Sequence, residues 1–429
     1  MSNRGLALFL FLIGSVDATL AEAAVKSYSG SFYVRGAAHT EGPLLASNRQ
    51  NAEFEQRSSV NDQFSFVIGG RAWNETAYAI NADRYPTNLL KNDSVEVSLR
   101  DVYLQYKTSN WFLRFGNQQV VWGEAFGFFY SDIVNPKDLR EGGFGEFAAI
   151  RRQIPILNTK FIFSNFALQG LFIPNGGFNV NPMPGSDFAP SSFNSLGVST
   201  VEVQRQLNLP LEARNSEAGA RLTAQFGGAD ISLFYLSYFD RVPYYSVNSS
   251  STLPTRLILD ENHSRISSLG FTASYDLNGY MLRFEGLQNS DRLIPVVVGS
   301  SLSTARTDEF VYVGEVDFPT WNKFNFGLQW SESILSNKAT GLLRSARQSL
   351  LGFRMQRSTW SNQSFDFFYA WAANDAGSRI ELNYYWPLTG VLEAKLGAQI
   401  LGGSRTSEFG ALHAGSRVFA ELKVFFKDI

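Results

Sequence analysis

This chain of 429 residues holds 37 Lys and Arg against 39 Asp and Glu, and its net charge of −2 gives no indication of a nucleic-acid partner. It contains no cysteine, so disulfides, thiolate metal sites and cysteine nucleophiles are excluded. Aromatic residues make up 14% of the chain and charged residues only 18%, a balance typical of a protein with an apolar exterior and a wet interior.

The first 23 residues have the pattern of a secretory signal peptide. An apolar run from Gly5 to Val16 follows Arg4, and Ala21-Glu22-Ala23 is a small-x-small site of the type that signal peptidase cleaves. A transmembrane helix would need about 20 apolar residues, and Asp17 interrupts the run too early. We therefore predict a signal peptide over residues 1–23 and an exported chain over residues 24–429.

Alternation of apolar and polar residues predicts β-strands through most of the exported chain. From Gln63 to Trp73, and again from Gly219 to Phe226, apolar side chains recur at nearly every second position. This is the pattern of a strand with one apolar face. The polar stretches between such segments predict connections, which lie at Thr40–Asn51, Asn74–Lys91, Pro174–Asn215, Arg241–His263 and Asn289–Thr307.

Short turns join the predicted strands in pairs. They lie at Ser59–Asp62, Lys107–Asn110, Ser164–Asn165, Gly227–Asp230, Asp276–Gly279, Pro319–Asn322, Arg357–Asn362 and Pro387–Gly390. Short turns that alternate with longer loops are typical of outer-membrane barrels, whose turns face the periplasm. With both termini on the turn side, n turns imply 2(n + 1) strands, so the fold is predicted as all-β, an antiparallel transmembrane β-barrel of about 18 strands. The segment Arg49–Ser58 alternates poorly, and without it the count would be about 16.

The residues from Gly116 to Glu141 break the alternation. Aromatic side chains, among them Trp122, Phe126 and Tyr130, are mixed there with many charged ones. Such a mixture suits neither an exposed loop tip nor a strand that faces lipid. We therefore predict an infolded loop, which enters the lumen of the barrel around residues 122–156.

Two runs in this stretch also carry a family resemblance. Gln118–Glu124 reads QQVVWGE and Asp132–Glu141 reads DIVNPKDLRE. Together they resemble a family of Gram-negative outer-membrane β-barrel proteins of unsettled substrate, which carries a QQVVWGE…VNPxDLRE segment. Asn117 stands where that family usually has a basic residue. The resemblance covers the chain from Val95 to Pro174 and implies the fold and the location in the outer membrane.

Charged residues of the predicted loop and of the inner strand faces are the candidate site residues. For a constriction of the pore we predict Arg114, Glu124, Asp132, Lys137, Asp138, Arg140, Glu141, Arg151 and Arg152. A charge that faces lipid at mid-membrane would cost about 2–4 kcal/mol, so strand charges are expected to face the lumen. The predicted lumen-facing residues are Arg71, Arg100, Arg221, Arg283, Glu285, Arg354, Asp366 and Glu381. The alternative is that these charges only pair across neighbouring strands and fill the lumen.

Catalysis and metal binding have little support in the sequence. The histidines are His39, His263 and His413, all in predicted loops, so a Ser–His pair on a strand has no candidate. No His, Asp and Glu cluster has the spacing of a metal site. We therefore predict that the protein is not an enzyme and holds no metal and no cofactor.

These features predict an outer-membrane channel or transporter that passes a small solute without chemistry. The aromatic loop and the resemblance together favour an amphipathic or hydrophobic solute. The expected partners are outer-membrane lipids, the barrel-assembly machinery and, for handing on the solute, a periplasmic carrier or an inner-membrane exporter. The alternative function is that of a surface structural or adhesive barrel with a blocked lumen.

Overall fold

The computed structural model describes residues 25–42, 45–128, 130–189, 200–250, 256–298, 301–336, 341–342, 344–358 and 362–427. The predicted signal peptide lies outside these residues. Within them the chain forms β1 (Val25–His39), β2 (Leu45–Ser59), β3 (Phe64–Glu75), β4 (Val95–Lys107), β5 (Trp111–Gln118), β6 (Ile154–Ile162), β7 (Phe166–Ile173), β8 (Thr200–Gln204), β9 (Glu217–Phe226), β10 (Ala229–Phe239), β11 (Tyr244–Ser250), β12 (Arg256–Asn262), β13 (Arg265–Leu277), β14 (Tyr280–Val298), β15 (Ser301–Asp317), β16 (Phe324–Leu335), β17 (Arg347–Ser358), β18 (Ser364–Ala372), β19 (Ser378–Pro387), β20 (Leu392–Gly402) and β21 (Arg417–Lys427).

Eighteen of these strands close into one antiparallel barrel. Each strand pairs with the next along the chain, except that β7 pairs with β9 and β10 with β13, and β21 pairs with β1 to close the sheet. The strands β8, β11 and β12 form a separate small sheet. The predicted 18-stranded barrel is therefore confirmed. The poorly alternating segment Arg49–Ser58 belongs to β2, which pairs with β1 from Leu45 to Ser59.

The predicted turns lie on one side of this barrel. Seven of them are confirmed by the short connections at residues 60–63, 108–110, 163–165, 227–228, 278–279, 318–323 and 388–391. The eighth, at Arg357–Asn362, includes residues 359–361, which lie outside the described residues, but the flanking strands β17 and β18 do pair. Val25 pairs with Ser59 and Ser29 with Lys427, so the start of β1 and the end of β21 also lie on the turn side.

The two faces of the strands differ as a membrane requires. Leu222, Leu233 and Leu269 are exposed on the outer face of the barrel, whereas the alternate positions point inward and include Arg221 and Thr272. An apolar outer band on a closed antiparallel barrel, with both ends of the barrel sheet on the short-turn side, is the architecture of an outer-membrane protein. The structure thus places the chain in an outer membrane.

Short helices occupy some of the longer connections. They are α1 (Ala77–Ile80) and α2 (Thr87–Asp93) between β3 and β4, α3 (Phe147–Ile150) between β5 and β6, and 3₁₀ turns at Ala213–Asn215 and Gly410–Gly415. In the part of the chain that the structure describes, no helix is both long and apolar enough to span a membrane.

Two predicted connections were wrong in extent. Thr40–Asn51 was expected as a polar connection, but β2 already begins at Leu45. Asn289–Thr307 was expected as a loop, but β14 and β15 continue through it as paired strands, with an irregularity between Asn289 and Arg292. In both segments the inward polar side chains find ionic partners inside the barrel, so polar residues there are compatible with a strand.

Gly116 in β5 is a position where the backbone itself requires glycine. Its φ is +130°, and an added Cβ would lie 2.2 Å from the carbonyl oxygen of Val102 and 2.8 Å from the Cα of Tyr103 in β4. We expect Gly116→Ala to destabilise the barrel by about 1–3 kcal/mol, because the overlap is with backbone that cannot give way. The measurement is the temperature at which the folded band on a semi-native gel converts to the unfolded one.

Gly170→Ala in β7 is the matched control for this substitution. Its added Cβ would meet Thr159 Cγ2 at 3.5 Å, an ordinary contact, so the conversion temperature should stay near that of the wild type. Equal conversion temperatures for the two variants would show that the β4–β5 contact does not require glycine.

Candidate functional site in the barrel lumen

The long connection between β5 and β6 enters the barrel and reaches two nearly opposite parts of its wall. We call residues 119–153 the lumen loop; all of them except Phe129 are described. One part of the loop bonds to β14, β15 and β16, and another part bonds to β1, β2 and β21. In the strand order the centres of these two groups, β15 and β1, lie seven of the 18 strands apart. The infolded loop therefore crosses the lumen.

Glu285 on β14 holds the loop by its backbone. This carboxylate is 1% exposed and accepts hydrogen bonds from the N–H groups of Glu124 (2.5 Å), Ala125 (2.8 Å) and Ser131 (3.3 Å). Loop N–H groups that are buried in a lumen need acceptors, since each one left unpaired costs about 1–3 kcal/mol. A single inward carboxylate supplies three of them.

The neighbouring strands continue this attachment. The N–H of Phe126 donates to Glu315 on β15 (2.7 Å), and the N–H of Phe128 donates to the Gln329 side chain on β16 (3.0 Å). The rings of Phe126 and Phe128 both contact Phe368 on β18 edge to face, with centroids 6.3 and 5.8 Å apart. The loop therefore follows the wall from β14 to β18.

Glu141 anchors the loop on the opposite wall. Its carboxylate contacts Arg35 on β1, Arg49 on β2 (2.9 Å) and Arg417 on β21 (3.1 Å). Burial alone would raise the pKa of Glu141, but the three guanidinium groups hold this pKa well below its usual range. Glu141 therefore stays ionised and balances one of three positive charges.

Arg140 bridges the loop to β4 and to the end of α2. It contacts Asp138 within the loop (2.5 Å), Glu96 on β4 (2.5 Å) and Asp93 (3.5 Å). Asp138 is buried, which alone would raise its pKa, yet the adjacent Arg140 lowers this pKa far below the ordinary value. Arg152 adds a further contact to Glu96 at 3.3 Å.

The remaining predicted loop residues also form ion pairs. Arg151 Nε lies 2.6 Å from Asp132 Oδ2, and the Lys137 ammonium lies 3.9 Å from the same oxygen. Burial lowers the pKa of Lys137. Glu124 contacts Arg221 on β9 at 3.1 Å. The structure thus brings all eight predicted residues of the loop into ionic contacts.

The predicted wall residues divide into two groups. Three of them contact the loop directly: Arg71 donates to the Ala149 carbonyl, Arg100 donates to the carbonyls of Ala148 and Arg151, and Arg354 stacks on the Phe126 ring. Two others reach the loop through one neighbouring side chain. Arg283 pairs with Glu315, and Glu381 pairs with Arg379, which donates to the Gly143 carbonyl. Arg114 and Asp366 lie in the turn-side parts of β5 and β18. Arg114 bonds Gln105 and stacks on the Tyr103 ring at 4.0 Å.

An apolar inner wall is the feature that the sequence reasoning missed. Trp122 of the lumen loop is fully buried, and its ring packs on Phe234 of β10 with centroids 5.1 Å apart. Leu236 and Tyr238 point inward beside Phe234 and join the same cluster. The signal was available: residues 231–239 read ISLFYLSYF, with large apolar or aromatic side chains at both parities near the end of the strand. Such a strand has apolar surroundings on both faces, here lipid outside the barrel and the lumen loop inside it.

A cavity of about 600 Å³ lies between the lumen loop and the loop-side ends of β14 and β15. Leu287, Val311 and Ile294 supply apolar walls, and Arg344 and Glu309 supply ionic ones. A smaller cavity of about 170 Å³ lies across the loop, against β1, β2 and β21, and charged side chains dominate its lining. The loop thus has a mixed apolar and ionic space on one side and a charged space on the other.

The fold resembles solved barrels of Gram-negative outer membranes. OccK8 (OprE) of Pseudomonas aeruginosa matches with a TM-score of 0.53 and 10% identity over 94% of this chain and 98% of that chain. OccAB3 of Acinetobacter baumannii matches with a TM-score of 0.50 and 10% identity over 94% and 99%. At such identity the likeness shows the fold alone.

The sequence comparisons add a family. No curated protein matches the chain by sequence. The model of the family described as "Protein of unknown function (DUF1302)" matches residues 43–292, which is more than half of the chain. The chain therefore belongs to the DUF1302 family.

Proposed function

We propose that this barrel is an outer-membrane channel or transporter that passes a small amphipathic or hydrophobic solute without chemistry. The observation that carries the proposal is the cavity of about 600 Å³ beside the lumen loop. Pockets for small organic molecules measure about 300–1,000 Å³ and combine apolar walls with a few polar groups. Leu287 and Val311 beside Arg344 and Glu309 provide that combination.

The arrangement of the loop supports passage over simple blockage. Its attachments run along the walls, through Glu285 on one side and Glu141 on the other, and cavities remain on both sides of it. If the loop served only to seal the lumen, apolar side chains that filled these spaces would stabilise it most, because burial of apolar surface lowers the free energy. Ionic side chains lining a remaining space are what a passage for polar and amphipathic solutes needs.

Reconstitution of the purified barrel tests the proposal. In planar bilayers we expect stepwise conductance, and in liposomes we expect swelling with small sugars and less swelling with larger ones. An amphipathic solute that enters the cavity should interrupt the current. A surface structural or adhesive barrel with a blocked lumen would show neither current nor swelling. An esterase assay on the same preparation tests the enzyme alternative, for which we expect no turnover.

The proposed partners follow from this function. Strand β21, which closes the barrel against β1, carries Phe425 and Phe426 before Lys427, and we assign it to recognition by the barrel-assembly machinery. A periplasmic carrier or an inner-membrane exporter would meet the barrel on the turn side.

A further inference from the structure

The cationic side chains that line the cavity of about 600 Å³ already have carboxylate partners. The pairs are Arg241 with Glu217 (2.6 Å), Arg292 with Asp240 (2.8 Å), Arg344 with Glu309 (2.7 Å) and Lys137 with Asp132 (3.9 Å). An anionic solute would have to displace one of these carboxylates to gain an ionic contact. The cavity therefore offers little to an anion.

Glu408 differs from the other carboxylates of the cavity. It lies in the connection between β20 and β21, lines the cavity and is exposed. Its Oε2 accepts a hydrogen bond from Gln348 Nε2 at 2.6 Å, and within the described residues it forms no ion pair. Enclosure has two effects on this carboxylate. It raises the pKa of Glu408, which the nearby charge of Arg344 partly opposes, and it makes the ionised carboxylate attract a positive charge more strongly than it would in open water.

An aromatic and apolar surface lies close to this carboxylate. Tyr130 of the lumen loop lines the same cavity. Burial, with a smaller contribution from the nearby charge of Glu408, raises the pKa of Tyr130 to about 12, so its ring stays neutral. Leu287 and Val311 are buried in the adjoining wall. Aromatic faces attract cations, and the apolar wall accepts a hydrocarbon body.

We propose that this cavity binds organic cations with an apolar body, with Glu408 as the partner of the cationic head and Tyr130, Leu287 and Val311 as the surface for the body. The assignment names the solute class for the proposed function and rests on it. It makes Glu408 a specificity residue of the passage.

Three naphthalene compounds that differ in their head group test this assignment. They are 1-naphthylmethylamine, which is cationic at neutral pH, 1-naphthylmethanol, which is neutral, and 1-naphthaleneacetate, which is anionic. Binding to the detergent-solubilised full-length barrel is measured by naphthalene fluorescence anisotropy. We expect the cation to bind about tenfold more tightly than the neutral compound, as one charge-assisted contact provides, and the anion to bind more weakly still.

Glu408→Gln should remove the preference for the cation and leave the affinity for the neutral compound unchanged. Glu146→Gln is the control, since it removes a carboxylate from the charged cavity on the other side of the loop. Equal binding of cation and anion by the wild type, or an unchanged preference in Glu408→Gln, would overturn the assignment. Conductance without head-group preference would leave the proposed function standing and refute only this inference, whereas binding of the cation without any conductance would refute the proposed function.

Discussion

Replacement of Glu141 by alanine is expected to shift the barrel strongly towards anion selectivity. Glu141 contacts the three cationic side chains of Arg35, Arg49 and Arg417, so its loss makes the local charge more positive by one unit. One unit charge about 6 Å from a passing ion changes its energy by about 0.7 kcal/mol even at the dielectric constant of water. That change favours chloride and disfavours potassium about threefold each, which corresponds to about a tenfold change in their permeability ratio. The measurement is the reversal potential in a KCl gradient at low ionic strength, where screening is weak.

Two further variants separate charge from structure at this site. Glu141→Gln keeps the shape of the side chain and should shift the selectivity in the same direction. Glu146→Ala, five residues further along the lumen loop, removes a carboxylate that lines the same cavity but is more exposed. Water and salt screen an exposed charge more strongly than a partly buried one, so this variant should shift the selectivity less. Because the arginines depress the pKa of Glu141, its charge persists as the pH falls and is lost only when the pH passes that depressed pKa. The wild-type selectivity contributed by Glu141 should therefore be constant from about pH 8 to about pH 5. Identical reversal potentials for Glu141→Ala and Glu146→Ala would contradict this role.

The strands and turns were predictable because their signals are local. The turn at Asp276–Gly279 needs only an Asn-Gly pair between two alternating runs, and the structure has Asn278 at φ +53° followed by Gly279 at φ +90°. The extent of β2 was harder to predict. Arg49 looks like a loop residue, and it fits a strand because Trp73 and Glu75 of β3 contact it, as does Glu141 from 92 positions along the chain.

The interior of the site could not be predicted from local patterns. Inward charges were expected to face water, and many of them instead bond a segment of backbone, as Glu285 bonds residues 124–131 across more than 150 positions. Glu408 was not singled out, because its sequence neighbourhood resembles any polar loop. Its position beside Tyr130 follows from the closure of the barrel, which sets the loops of β14–β17 and β20–β21 around one space.

The attachment by Glu285 leads to the second large expected effect, an increase in conductance in Glu285→Ala. The substitution leaves the N–H groups of Glu124, Ala125 and Ser131 without their acceptor, at a cost of about 1–3 kcal/mol for each group that stays buried. The loop can escape this cost by moving its N–H groups into the aqueous lumen, away from β14. We expect the single-channel conductance to rise about twofold or more, since an 18-stranded barrel without an infolded segment encloses a wide aqueous channel.

Glu393→Ala is the matched control for that experiment. Glu393 lies near the turn-side end of β20, where it pairs in register with Lys423 of β21, so its removal should leave the loop in place and the conductance almost unchanged. Folding of both variants is checked by the shift of the band on heating, because the closed ladder of 18 strands does not depend on either carboxylate. A folded Glu285→Ala barrel with wild-type conductance and steady current would mean that Phe126, Phe128 and the Glu141 cluster hold the loop without Glu285. The narrowing of the lumen would then depend on aromatic packing against Phe368 and on the arginines of β1, β2 and β21.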